Sequence, residues 1–136
     1  MQTSFLVISD GRDMTWLQAA FTTLGSLEVM SAEAARSCQT LQRYVLIIID
    51  TTSVPEYVPL IVNLRQHAPA AQVIVVAASP SWPSAREALR AGAADYLSTS
   101  MRPRDFIAAL VAILARPVHT PGSHLQHARE VPKETT

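Results

Sequence analysis

The sequence predicts an α/β domain, an open and doubly wound parallel sheet with helices on both faces. Two observations carry that expectation. Short apolar runs without polar alternation, typical of strands covered on both sides, alternate five times with segments of helical spacing. Glycines and prolines stand where those helical segments stop and start.

Taken in order, the strand candidates are Phe5–Ile8, Leu27–Met30, Tyr44–Ile49, Val73–Ala78 and a weaker Ala94–Leu97. The first helix is expected on Leu17, Ala20, Phe21 and Leu24, stopped by Gly25. A second follows Ser31, an N-cap residue, with Ala34, Ala35, Cys38 and Leu41 on its apolar stripe. A third carries Leu60, Ile61 and Leu64 after Pro59, and a fourth carries Ala85, Ala88 and Leu89 between Pro83 and Gly92. The last carries Phe106, Leu110, Ile113 and Leu114 between Pro103 and Pro117. Five βα units joined by right-handed crossovers are too few for an eight-stranded barrel, which leaves the open sheet. Residues 1–116 form the expected domain; 117–136, with three prolines and no periodicity, read as a flexible tail or linker.

Composition narrows the function. The chain has 136 residues, enough for one core, with 49% hydrophobic and 16% charged side chains. Eleven basic and eleven acidic residues cancel, so no net field draws the domain to nucleic acid or anionic lipid. The single Cys38 has no disulfide partner and reads as a small buried thiol. MQTSFLVISD lacks a basic leader, and no apolar run is long enough to span a bilayer, so a cytoplasmic domain is expected. His119, His124 and His127 fall in the tail with no further ligand near them in sequence, and read as chance.

The informative polar residues stand at strand ends. Asp10 closes the first candidate strand, and Asp50 follows three isoleucines in the third. In an open parallel sheet these strands are neighbours at the switch point, which brings the two carboxylates near each other. Such a pair can hold Mg²⁺, or one member can act as a nucleophile toward a phosphoryl group. The plainer reading of each is a cap that accepts a backbone N–H.

Over roughly residues 4–115 the sequence resembles the receiver domains of bacterial response regulators. AREALRAGAADYLSTSMRPRDFIAAL carries the resemblance most strongly, followed by YVLIIID, FLVISD and QVIVVAAS. The resemblance implies a flavodoxin-like sheet of order 2-1-3-4-5 with five helices, and Asp50 as the phosphoacceptor. It also exposes departures. The pair of metal-binding acids is Ser9-Asp10 here, the switch hydroxyl is Ala77, and the Lys-Pro after the fifth strand is Thr99-Ser100. The loop after Asp50 reads TTSVPEYVP in place of the family's Met-Pro and later Gly. Tyr96 occupies the switch aromatic's position without its hydroxyl partner.

Phosphoryl transfer depends on positioned charge, and one missing preorganised donor costs about 3–4 kcal/mol. The expectation is therefore a non-enzymatic pseudo-receiver that works as a protein-interaction module without phosphorylation. It requires no cofactor, and Mg²⁺ binding through Asp10 and Asp50 is weakened. The alternative is a phosphoacceptor at Asp50 with substitutes such as Ser79, Arg102 or Asp13. The implied partner is a histidine kinase or an output domain, met through the face of the fourth helix, fifth strand and fifth helix. That face includes Arg86, Arg90, Tyr96 and Arg104, and a homodimer through it is open. A flavodoxin-like ligand binder is disfavoured because SDGRDM makes no phosphate cradle, and a hydrolase because no Ser or Cys has a partnered His.

Overall fold

A computed structural model describes residues 4–10, 21 and 24–116. Five strands, β1 (Ser4–Ile8), β2 (Ser26–Met30), β3 (Leu46–Asp50), β4 (Gln72–Ala77) and β5 (Asp95–Ser98), form one sheet of order β2-β1-β3-β4-β5. Every pairing is parallel. Ile8 lies opposite Met30 on one side and Ile49 on the other, and Asp50 lies opposite Val76. The described helices are α1 (Ala32–Ser37), α2 (Tyr57–His67), α3 (Trp82–Ala91) and α4 (Pro103–Ala115), with a 3₁₀ turn at Leu41–Arg43. The expected first helix lies outside the described residues except for Phe21 and Leu24, as do Asp13 and the tail with its three histidines.

The two core layers explain why the strands read as unbroken apolar runs. Side chains alternate across the sheet. Leu6, Ile8, Ile47, Ile49, Val73 and Val75 pack with Ala35, Leu60, Ile61, Leu64 and Ala88 from α1, α2 and α3. Phe5, Val7, Leu46, Ile48, Ile74 and Val76 pack with Phe21 and with Phe106, Leu110 and Ile113 of α4. Every residue of β3 and β4 is buried, because helices cover both faces of the sheet.

Capping follows the chemistry read in the sequence. Ser31 Oγ accepts the Ala34 N–H, and Ser81 Oγ accepts that of Ser84. Pro59, Pro83 and Pro103 all fall in the first turn of their helices. Gly92 ends α3 at φ 121°, where a Cβ would also stand 2.9 Å from Arg65 Cγ.

Local chemistry corrects several sequence expectations. The helix after Ser31 stops at Ser37, whose hydroxyl turns back to the Glu33 carbonyl. The chain then breaks before the 3₁₀ turn that carries Leu41. Cys38 caps α1 and is half-buried, not fully buried. Tyr44 precedes β3 instead of opening it. Its ring is buried while its hydroxyl donates to Glu28 on β2, and Arg43 bridges both. At the other end of the sheet pair, buried Gln72 donates through Nε2 to the carbonyls of Ile113 (3.2 Å) and Arg116 (2.9 Å). Arg116 in turn donates to the Ala94 carbonyl (3.4 Å).

Candidate functional site

Parallel sheets gather their polar residues where the strands end. At the end of β3, Asp50 is fully buried. Its Oδ2 accepts hydrogen bonds from the hydroxyls of Ser9 (3.0 Å) and Ser53 (2.7 Å), and its Oδ1 accepts the Thr52 N–H (3.2 Å). The two hydroxyl oxygens are 3.1 Å apart. Ser9 follows β1, is 4% exposed, and is held by its own N–H on the Met30 carbonyl. Ser53 comes from the turn closed by the N–H groups of Ser53 and Val54 on the Asp50 carbonyl. Thr51 anchors that turn to β4 by donating both its N–H (3.1 Å) and its hydroxyl (3.0 Å) to Val76.

Asp10 has a different partner. It is exposed, and its Oδ1 accepts the Ala32 N–H at the first turn of α1 (3.1 Å). This is the capping role, with the acid favourably placed at the helix N-terminus. Among the described residues, no group of three or more His, Cys, Asp or Glu is arranged around a common point.

Ala77, the last residue of β4, is buried and pairs with Ser98. Because β4 stops there, Ser79 lies in an exposed bend and the two-residue face rule does not carry its hydroxyl to Asp50. Thr99 is half-buried and fixed by its N–H on the Ala77 carbonyl (3.0 Å). The following loop closes on itself, with Ser98 and Ser100 hydroxyls 2.7 Å apart and the Ser100 N–H on Ser98 Oγ. Arg102 is exposed and caps α4 without a side-chain bond.

Tyr96 is half-buried on β5 and packs against the layer of core that holds Ile49 and Val75. Arg86, Arg90 and Arg104 are exposed. The Arg86 guanidinium lies over the Trp82 ring, 5.5 Å from its centroid. Tyr57, at the start of α2, donates to the Ser84 carbonyl of α3 (3.4 Å).

Sequence reasoning treated Ser9 only as a lost acid and overlooked Ser53. The signal for Ser53 was present: a hydroxyl three residues after an Asp in a turn can fold back onto that carboxylate. The Glu28–Arg43–Tyr44 cluster was not legible, because it joins β2 to the segment before β3, fifteen and sixteen positions away.

No protein-family model matches the chain, and no curated protein does. Solved structures do. A response regulator from Thermotoga maritima superposes with a TM-score of 0.73 at 21% identity, covering 85% of this chain and 100% of that one. An orphan response regulator of H. pylori gives 0.71 at 17% identity, covering 82% and 96%. A protein assigned to pilus assembly in Burkholderia thailandensis gives 0.70 at 23% identity, covering 84% and 99%. The strand order, the all-parallel pairing and these superpositions together establish that the chain has the CheY-like receiver fold of response regulators.

Proposed function

We propose that this domain is a pseudo-receiver, a protein-interaction module of two-component-type signalling that acts without phosphorylation. One observation carries the reading: the Ser9 hydroxyl occupies the place of a metal-binding acid and donates to Asp50. An acid there would repel Asp50 and draw in a divalent cation. A hydroxyl instead donates to the carboxylate directly and adds no second negative charge. The donor set fits Mg²⁺ poorly: Ser9 adds no charge, and Asp10 spends an oxygen on Ala32. Ala77 and Thr99 add neither a switch hydroxyl nor a cation at the family's positions.

The same reasoning makes Asp10 and Asp50 structural, and leaves the surface as the means of action. The partner is a histidine kinase or an output domain that meets Arg86, Arg90, Tyr96 and Arg104 across α3, β5 and α4. The second reading, a phosphoacceptor, draws on one fact: Asp50 is retained at the end of an interior strand. For that chemistry the Ser9 and Ser53 bonds must open first.

The test is titration with Mg²⁺ and beryllofluoride, followed by amide NMR against an Asp50→Asn control. The proposal expects no saturable shifts at Ser9, Asp50 or Ser53. Shifts that saturate in the wild type and vanish in the control would restore phosphorylation as the switch.

A further inference from the structure

We infer that the outer stripe of α3 docks an acidic protein segment carrying apolar anchors. The inference rests on the interaction-module reading and names the partner's chemistry.

Trp82, Arg86, Leu89 and Arg90 are all exposed, Trp82 at 69% and Leu89 at 40%. At 3.6 residues per turn their directions fall within about 100° of one another, opposite the buried Ala88. The helix therefore offers water a Trp and a Leu about two turns apart, flanked by two guanidinium groups. Exposed aromatic and leucine side chains cost solvation, and Trp and Arg are among the residues most enriched where binding energy concentrates. Arg86 stacks on one side of the indole, leaving the remainder of the ring open.

Charge selects the occupant. Among the described residues neither Arg86 nor Arg90 is paired with a carboxylate, although Glu87 lies on the same helix. Two guanidinium groups beside an apolar pair complement carboxylates interleaved with bulky apolar side chains. An anionic membrane fits less well, since stable attraction takes clusters of roughly 4–8 basic residues. The zero net charge of the chain points the same way.

The probe is a synthetic 16-residue peptide alternating Glu with Leu and Phe at helical spacing, titrated while the Trp82 emission is followed. A Trp82→Phe variant isolates that signal from Trp16. The expected result is a saturable blue shift, at least about tenfold weaker in Arg86→Glu/Arg90→Glu, weakened by salt, and absent with a Lys-for-Glu peptide. These substitutions are on exposed positions, and an unchanged NMR fingerprint confirms folding. Equal binding by the charge-reversed variant, no saturable binding, or binding to phosphatidylserine vesicles in place of the peptide would each overturn the inference. Repeating the titration with beryllofluoride separates the two claims. Binding only in its presence sinks phosphorylation independence and keeps the acidic partner. Silence in both conditions sinks the acidic partner alone.

Discussion

The loops that follow β3 and β5 open on the same end of the sheet but are held by opposite means. After β3, the Asp50 carboxylate gathers hydroxyls from Ser9, forty-one positions away, and from Ser53 within its own turn. After β5, the Ser98 and Ser100 hydroxyls bond to each other and to the Ser100 amide. The side-chain bonds of the first loop tie distant segments together, and those of the second stay within the loop. Between them, β3 and β4 are buried along their whole length and packed on two sides. The two packed layers are built from apolar side chains alone. A carboxylate buried at a strand end must be satisfied by something.

The comparison can be broken most severely below the loops. Ile48→Ala removes a fully buried side chain from the layer under α4 and should cost about 4 kcal/mol in urea unfolding. A loss under about 1 kcal/mol would mean that the layers are not the source of stability. Next is Ser9→Asp, which sets a second carboxylate against Asp50. In EDTA it should destabilise by about 3 kcal/mol, as an uncompensated buried charge does. Millimolar Mg²⁺ should restore much of the thermal midpoint, and no metal response would argue that the pocket cannot be rebuilt by charge alone.

A sharper contrast comes from single hydroxyls. Ser53→Ala should cost about 1.5 kcal/mol, because it takes a donor from a buried charge. Ser100→Ala, at an exposed position whose hydroxyl meets only that of Ser98 among the described residues, should stay within about 0.5 kcal/mol. Equal effects would erase the distinction between the two loops.

The smallest effect lies away from this end. Tyr44, and then Arg43, hydrogen-bond to Glu28 and hold its carboxyl below the ordinary 4.5. A carboxyl with a lowered folded value stabilises the domain above pH 4.5, and that contribution is lost as pH falls through the folded value. Glu28→Gln should therefore differ from wild type at neutral pH and converge with it in acid. Because both side chains are substantially exposed, salt should shrink the difference. A gap that persists unchanged at pH 3 would mean the carboxylate charge plays no part.

The architecture was legible because apolar runs and helix stops are local signals. Three isoleucines before Asp50 mark an interior strand, and Pro83 with Gly92 brackets α3 to within a residue at either end. The short α1 was not legible, since Ser37's turn back onto its own helix competes with an apolar stripe that continues to Leu41. At the site, the sequence pointed to Asp50 and to the missing partners. It could not show Ser9 as a donor, because a hydroxyl reports its role only through what lies opposite it. Tyr44 was misplaced in a strand for a related reason: its apolar ring suits β3, while its hydroxyl is claimed by Glu28.

The Gln72 amide has a mechanical consequence. By gripping the carbonyls of Ile113 and Arg116 from the first residue of β4, it couples the end of α4 to an interior strand. Tension applied to the chain at Arg116 is thus shared with β4 and, through Arg116 and Ala94, with the approach to β5. The expected outcome is that α4 detaches together with its hold on the sheet and not turn by turn, and that Gln72→Ala lowers the force at which it does so in a pulling experiment.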